Sequence, residues 1–248
     1  MENVLPRFDH GEAWLRLLRL PNLLTVPGDI LAGFLLAPSA VSRDWAELLL
    51  AIPSGLLLYA AGLCLNDLFD YKEDLRDRPD RPLPSGKISR EETAAFSLIF
   101  LWVAAFLAAF FDALPIAIPL ILCIILYNVG LKRNWLLGPL LMGACRSANL
   151  LLGAAAASEE FFLTPGPIVA AAVLGLYIAA VSFLARNETR PDAKIKPRHI
   201  GLLLRLLIPL QAVLCLSALH RFPANLAGLL LLPLLPLHRR WSRRFPPS

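Results

Sequence analysis

Apolar residues run in long blocks along most of this chain, and each block gives way to a short polar or charged connection. The blocks lie near Asn22–Pro38, Ala46–Leu65, Thr93–Phe111, Ala113–Gly130, Leu137–Ala157, Pro167–Ala185, Gly201–Ala218 and Pro223–Leu237. Each is long enough for a thin or tilted bilayer crossing and too long for an ordinary core helix. The pattern therefore predicts an all-α, polytopic membrane bundle of about eight transmembrane helices. With no long polar segment between blocks, residues 1–248 read as a single membrane-embedded domain.

Composition agrees, at 57% apolar residues against about 45–50% in globular proteins. The net charge of +5 reports topology more than a nucleic-acid surface. With a cytoplasmic N-terminus, Arg7, Arg16, Arg19, the basic residues from Lys72 to Arg90, Lys132, Arg133, the group from Arg186 to Arg198, and Arg239, Arg240, Arg243 and Arg244 all fall inside. Only Arg43 and Arg221 fall outside, so both termini are expected in the cytoplasm. Acidic Glu2, Asp9 and Glu12 near the start argue against a cleaved signal peptide. Cys64, Cys123, Cys145 and Cys215 are scattered through apolar blocks as small core residues. His10, His199, His220 and His238 form no metal-binding spacing. No protein partner is indicated.

Candidate chemistry collects at the polar connections. Asn66, Asp70 and Asp74 recur every four residues where the second block ends, beside Asp67. On a helix each such step drifts by only about 40°, so three oxygen-bearing side chains share one face and can converge on a hard cation. Magnesium held by one or two carboxylates and by substrate phosphates is the usual arrangement. Placing Asn66 and Asp67 at the end of a membrane span costs about 2.5–3.5 kcal/mol for a charge, which favours function over a solvated loop. The fourth block ends in Tyr127, followed by Lys132 and Arg133. These are an interfacial anchor or, beside a bound cation, a cradle for a diphosphate. Arg146 and Asn149 lie one turn apart inside the fifth block and read as an inward-facing polar site. After the sixth block, Glu188 and Asp192 repeat the carboxylate spacing, although Pro191 limits helix continuation through them. The long charged connections after the second and sixth blocks suggest a four-helix pseudo-repeat with both clusters facing one cytoplasmic cavity.

Together these residues resemble the UbiA superfamily of intramembrane prenyltransferases. The likeness rests on Asn66-x3-Asp70-x3-Asp74 with its tail Arg81-Pro82-Leu83-x-Ser85-Gly86, on Tyr127-x4-Lys132, and on the charged segment after the sixth block. It extends from Arg19-Leu-Pro21-Asn22 to Asp192. Gly143-Ala-Cys145-Arg146-x2-Asn149-x3-Gly153 and Ala185-Arg186-Asn187-Glu188 look most like its EboC-type branch. Two departures are a Glu188-x3-Asp192 second motif in place of D-x3-D, and eight spans in place of nine. The resemblance implies a prenyltransferase that moves a prenyl group from an allylic diphosphate to an acceptor, expected to be aromatic, through an allylic carbocation. It implies Mg2+ on Asn66, Asp67, Asp70, Asp74, Glu188 and Asp192, with Asp70, Asp74 and Lys132 catalytic. Arg19, Asn22, Arg81, Tyr127, Arg133, Arg146, Asn149 and Arg186 would bind substrates. The competing expectation is a non-catalytic isoprenoid-binding or transport-related protein on the same fold. A phosphatidyl-group transferase is disfavoured because its D-G-x2-A-R pattern is absent.

Overall fold

In the computed structural model, residues 9–38, 45–186 and 195–244 are described. They form eleven α-helices: α1 (His10–Leu17), α2 (Leu20–Leu23), α3 (Val26–Leu36), α4 (Trp45–Phe69), α5 (Tyr71–Asp77), α6 (Arg90–Ala109), α7 (Leu114–Val129), α8 (Leu137–Ala157), α9 (Pro165–Ala185), α10 (Pro197–Leu216) and α11 (Leu234–Arg244). No strand occurs among the described residues. Helices α4, α6, α8, α9 and α10 are long and apolar enough to cross a membrane, and α7 and the α2–α3 stretch are shorter apolar helices. The protein is thus an all-helical integral membrane protein, with seven of the eight expected blocks helical near their expected bounds.

The eighth block differs. Instead of one span over Pro223–Leu237, residues Ala224–Leu231 form a 3-10 segment, and α11 follows as a separate eleven-residue helix. The break falls at Leu232–Pro233, where the proline has no backbone N–H to continue the helical ladder. At about 2 Å per residue the eight-residue 3-10 piece rises about 16 Å, well short of a bilayer core of about 30 Å. Helix α11 alternates Leu234, Leu235, Leu237 and Trp241 with His238, Arg239 and Arg240, which is an interfacial pattern and not a spanning one.

Small residues let the central helices meet backbone to backbone. A Cβ on Gly33 of α3 would collide with the Leu150 carbonyl of α8, and one on Gly153 would collide with the Ile30 carbonyl. Lipid offers no hydrophobic force between helices, so close van der Waals approach holds α3 against α8. Neighbours in contact run α4, α7, α8, α9, α10, α11, α2 and back to α4. That ring encloses a cavity. The outer faces carry exposed Leu98, Trp102, Leu176 and Leu230, as lipid contact requires. All four cysteines are free thiols, with Cys64 and Cys215 fully buried.

Candidate active site

The four-residue spacing survives the junction of α4 and α5, where the Asp70 amide donates to the Asn66 carbonyl and the Asp74 amide to the Asp70 carbonyl. Asn66, Asp70 and Asp74 therefore project from one helical edge, but the first two share one partner and Asp74 meets another. The Lys132 ammonium lies 2.7 Å from Asp70 Oδ1 and donates to Asn66 Oδ1 at 3.3 Å. Buried Asp74 accepts from Arg81 Nη1 at 2.7 Å. Buried Asp67 accepts from Arg19 Nη2 at 3.4 Å and from Asn66 Nδ2 at 3.4 Å. Arg19 holds this position from a left-handed backbone (φ 45°) between α1 and α2. A non-glycine residue there is strained, as often occurs at functional sites.

A separate clamp sets the position of Lys132. Helix α7 ends at Gly130, and a 3-10 turn over Leu131–Arg133 follows. The Arg186 guanidinium, one residue past α9, donates to the carbonyls of Lys132 (3.4 Å), Arg133 (2.8 Å) and Asn134 (2.7 Å). The Asn134 carbonyl also accepts from the Gly138 amide, while those of Lys132 and Arg133 sit at a turn's end, where a planar cation suits them. Arg133 itself is exposed, 3.9 Å from Glu73.

Behind this edge opens the cavity, about 740 Å3, lined by Arg19, Asn22, Asn66, Tyr127, Arg146 and Asn149 among the expected residues. Asp67, Asp70, Asp74, Arg81, Lys132, Arg133 and Arg186 do not line it. Its apolar wall includes Leu58, Leu63, Leu120, Ile124, Ile178 and Val181. Arg146 does not stand free in the cavity. Its Nη2 sits 2.9 Å from Asp29 Oδ2 on α3 and also donates to the Thr25 carbonyl and hydroxyl, each at 3.1 Å. Asn149 Nδ2 donates to the same carboxylate at 3.2 Å, as does the Gln211 amide. Asp29 is completely buried. Sequence reasoning named Arg146 and Asn149 but missed Asp29, Thr25 and Gln211. A lone aspartate in the apolar run of α3 was the available signal.

Magnesium suits the oxygen chemistry of the edge. Asn66 Oδ1 and Asp70 Oδ1 already converge on a single cation, the Lys132 ammonium. Hard carboxylate and amide oxygens at one point, with room left for phosphate oxygens, are what Mg2+ requires. Asp74 is committed to Arg81, and no three His, Cys, Asp or Glu side chains gather around a point among the described residues. Glu188 and Asp192 lie outside the described residues.

Comparison with known proteins agrees with this architecture. The sequence pattern of the UbiA prenyltransferase family matches residues 29–246. The digeranylgeranylglyceryl phosphate synthase of Methanoculleus marisnigri is 31% identical over 187 residues, covering 73% of this chain and 62% of that protein. The same-named protein of Ignicoccus hospitalis is 31% identical over 150 residues, covering 59% of this chain and 48% of its own. The chain thus spans about half the length of the curated relatives it matches. A UbiA homologue from Archaeoglobus fulgidus, solved with GPP and Mg2+, superimposes with a TM-score of 0.59 at 16% identity, covering 94% of this chain and 87% of that one. An apo homologue from Aeropyrum pernix K1 gives 0.56 at 18%, covering 91% and 90%. At these identities the likeness is one of fold.

Proposed function

Because this chain belongs to the UbiA prenyltransferase family, we propose that it transfers a prenyl group from an allylic diphosphate to a nucleophilic acceptor, with Mg2+ as cofactor. The observation that carries this reading is the convergence of Asn66 Oδ1 and Asp70 Oδ1 on one cation beside the cavity. The solved relative's GPP and Mg2+ support the same donor class. Asn66 and Asp70 would hold the ion together with diphosphate oxygens, with Asp67 and Asp74 behind them and Glu188 and Asp192 as the further expected ligands. Bound there, Mg2+ supplies Lewis-acid neutralisation of charge growing on the leaving diphosphate.

Lys132, placed beside Asp70 and Asn66, would donate to the diphosphate oxygens as a point charge. Arg186 keeps it in reach. As the bond between the prenyl carbon and the diphosphate oxygen breaks, its electron pair leaves with the diphosphate, and the acceptor's electron pair forms the new bond. The proton lost by the acceptor passes to solvent or the diphosphate. Leu58, Leu63, Leu120, Ile124, Ile178 and Val181 surround the isoprenoid and keep water from the allylic cation. Tyr59 and Tyr127, in the same wall, suit an aromatic acceptor by stacking. By the distribution of basic residues, the edge with Asp70 and Lys132 faces the cytoplasm.

The test is diphosphate release by the purified protein in detergent, with allylic diphosphates of several lengths, with and without Mg2+. Magnesium-dependent release that Asp70→Ala abolishes is the expected result. Magnesium-dependent donor binding without release, in the presence of a broad acceptor panel, would instead establish a non-catalytic isoprenoid-binding protein.

A further inference from the structure

Six residues of α4 line the cavity: Gly55, Leu58, Tyr59, Gly62, Leu63 and Asn66. Their spacing is that of one helix face, and the eleven residues from Asn66 back to Gly55 span about 16 Å along the axis. The same cavity takes Leu120 and Ile124 from α7, and Ile178 and Val181 from α9. An apolar passage thus leads inward from the Asn66 edge.

The passage is blind. At its inner end α4 closes on its neighbours, since a Cβ on Gly55 would strike the Asn149 amide oxygen and the Ile30 side chain. One turn beyond the last lining residues, Ala51 of α4, Ala117 of α7, Leu152 of α8 and Leu174 of α9 are completely buried and belong to the closed core. An apolar tail that enters at Asn66 therefore stops near Gly55, Leu120 and Ile178.

A second observation comes from Gly62. Glycine inside a helix weakens it, and the other glycines inside α3, α4, α8 and α9 have a packing reason, because a Cβ on any of them would press on a neighbour. A Cβ on Gly62 would meet only Ile124, at an ordinary 3.5 Å, and the Gly62 backbone is not left-handed. Its carbonyl accepts from the buried Asn128 Nδ2 at 3.4 Å, which holds α7 at this level of α4. Neither packing nor backbone requires the glycine. What its missing side chain leaves open is the passage itself, one turn or about 6 Å inward of Asn66.

We propose that this passage gauges the prenyl donor: Gly62 keeps it open to the isoprenoid tail, and the floor at Gly55, Leu120 and Ile178 ends it. With carbon–carbon bonds of about 1.5 Å in a zigzag, an isoprene unit extends about 5 Å, so the passage holds about three units. The donor is thereby a short allylic diphosphate, of farnesyl length or below, and a geranylgeranyl chain does not fit. This rests on reading the cavity as a prenyl-transfer site, but the gauge can be probed without turnover.

Magnesium-dependent binding of dimethylallyl, geranyl, farnesyl and geranylgeranyl diphosphates is measured by calorimetry on the full chain in detergent, with no acceptor present. Wild type is compared with Gly62→Leu and Leu120→Ala, each checked for an intact melting transition. Wild-type affinity should rise with length as far as farnesyl and fall about tenfold or more at geranylgeranyl. Gly62→Leu should weaken farnesyl binding about tenfold or more and dimethylallyl binding least. Leu120→Ala deepens the floor and should gain geranylgeranyl binding, which misfolding cannot mimic. Wild-type binding of geranylgeranyl as tight as of farnesyl, equal losses at every length in Gly62→Leu, or no gain in Leu120→Ala would each overturn the gauge and leave prenyl transfer standing. Magnesium-dependent binding of none of the four would overturn the prenyl-transfer reading and the gauge with it.

Discussion

Two carboxylate–cation clusters lie along the same cavity and differ in burial. In the inner one, Asp29 and Arg146 have side chains 0% and 5% exposed, and Thr25, Asn149 and Gln211 surround the pair. In the outer one, Asp70 and Lys132 have side chains 21% and 12% exposed, and Asn66 is their sole further partner among the described residues. The inner pair is desolvated, and its carboxylate accepts from three side chains, so no ligand can displace a member without leaving a buried charge. At the outer pair, water and ligands reach the oxygens, and one cation can be exchanged for another. Opposite charges in an apolar bundle thus serve as a strut where they are sealed and as a socket where they are open.

Breaking the strut has the largest expected effect. Asp29→Leu leaves Arg146 buried and unpaired and should destabilise the fold by about 3–5 kcal/mol, whereas Asp29→Leu/Arg146→Leu should recover most of that loss. Thermal unfolding in detergent measures both, and equal melting temperatures for the single and double variants would contradict the strut. Opening the socket acts on chemistry and not on folding. Asp70→Ala should lower magnesium-dependent diphosphate release about 100-fold or more with the melting temperature little changed, and a large drop in melting would make the two clusters alike.

Arg186→Ala sharpens the distinction, because it removes the clamp on the turn that carries Lys132 and touches neither carboxylate. KM for the allylic diphosphate should rise about tenfold with kcat less affected, a difference of about 1.4 kcal/mol. The smallest effect belongs to a pair with no burial at all. Arg76 hydrogen-bonds Asp77 and holds its pKa below the ordinary value. Such a group adds stability above its ordinary pKa and loses it as pH falls through the lowered one. Arg76→Ala should therefore leave melting unchanged at neutral pH, with any difference confined to below about pH 4.

Local spacing made much of this legible in the sequence. Seven helices follow from apolar block length, and the Asn66, Asp70, Asp74 edge follows from a four-residue repeat that hydrogen bonds carry across the α4–α5 junction. What escaped was pairing across the fold. Asp29 and Arg146 are 117 residues apart in sequence, and only the contact of α3 with α8 joins them. Arg239 looked like a topology signal and His238 like a stray histidine, and Arg205, inside the seventh block, went unnoticed, because their common surface depends on α11 folding back onto α10 and α2. The eighth block misled for a local reason, since hydropathy counts leucines and overlooks the missing amide of Pro233.

The grip of Arg186 on the Lys132 turn joins the two halves of the chain. Arg186 begins the connection that carries Glu188 and Asp192, and it holds the backbone that presents the lysine to Asp70. It acts as a tether between the end of α9 and the turn before α8, so a displacement of that helix end would move the ammonium that Asp70 and Asn66 hold.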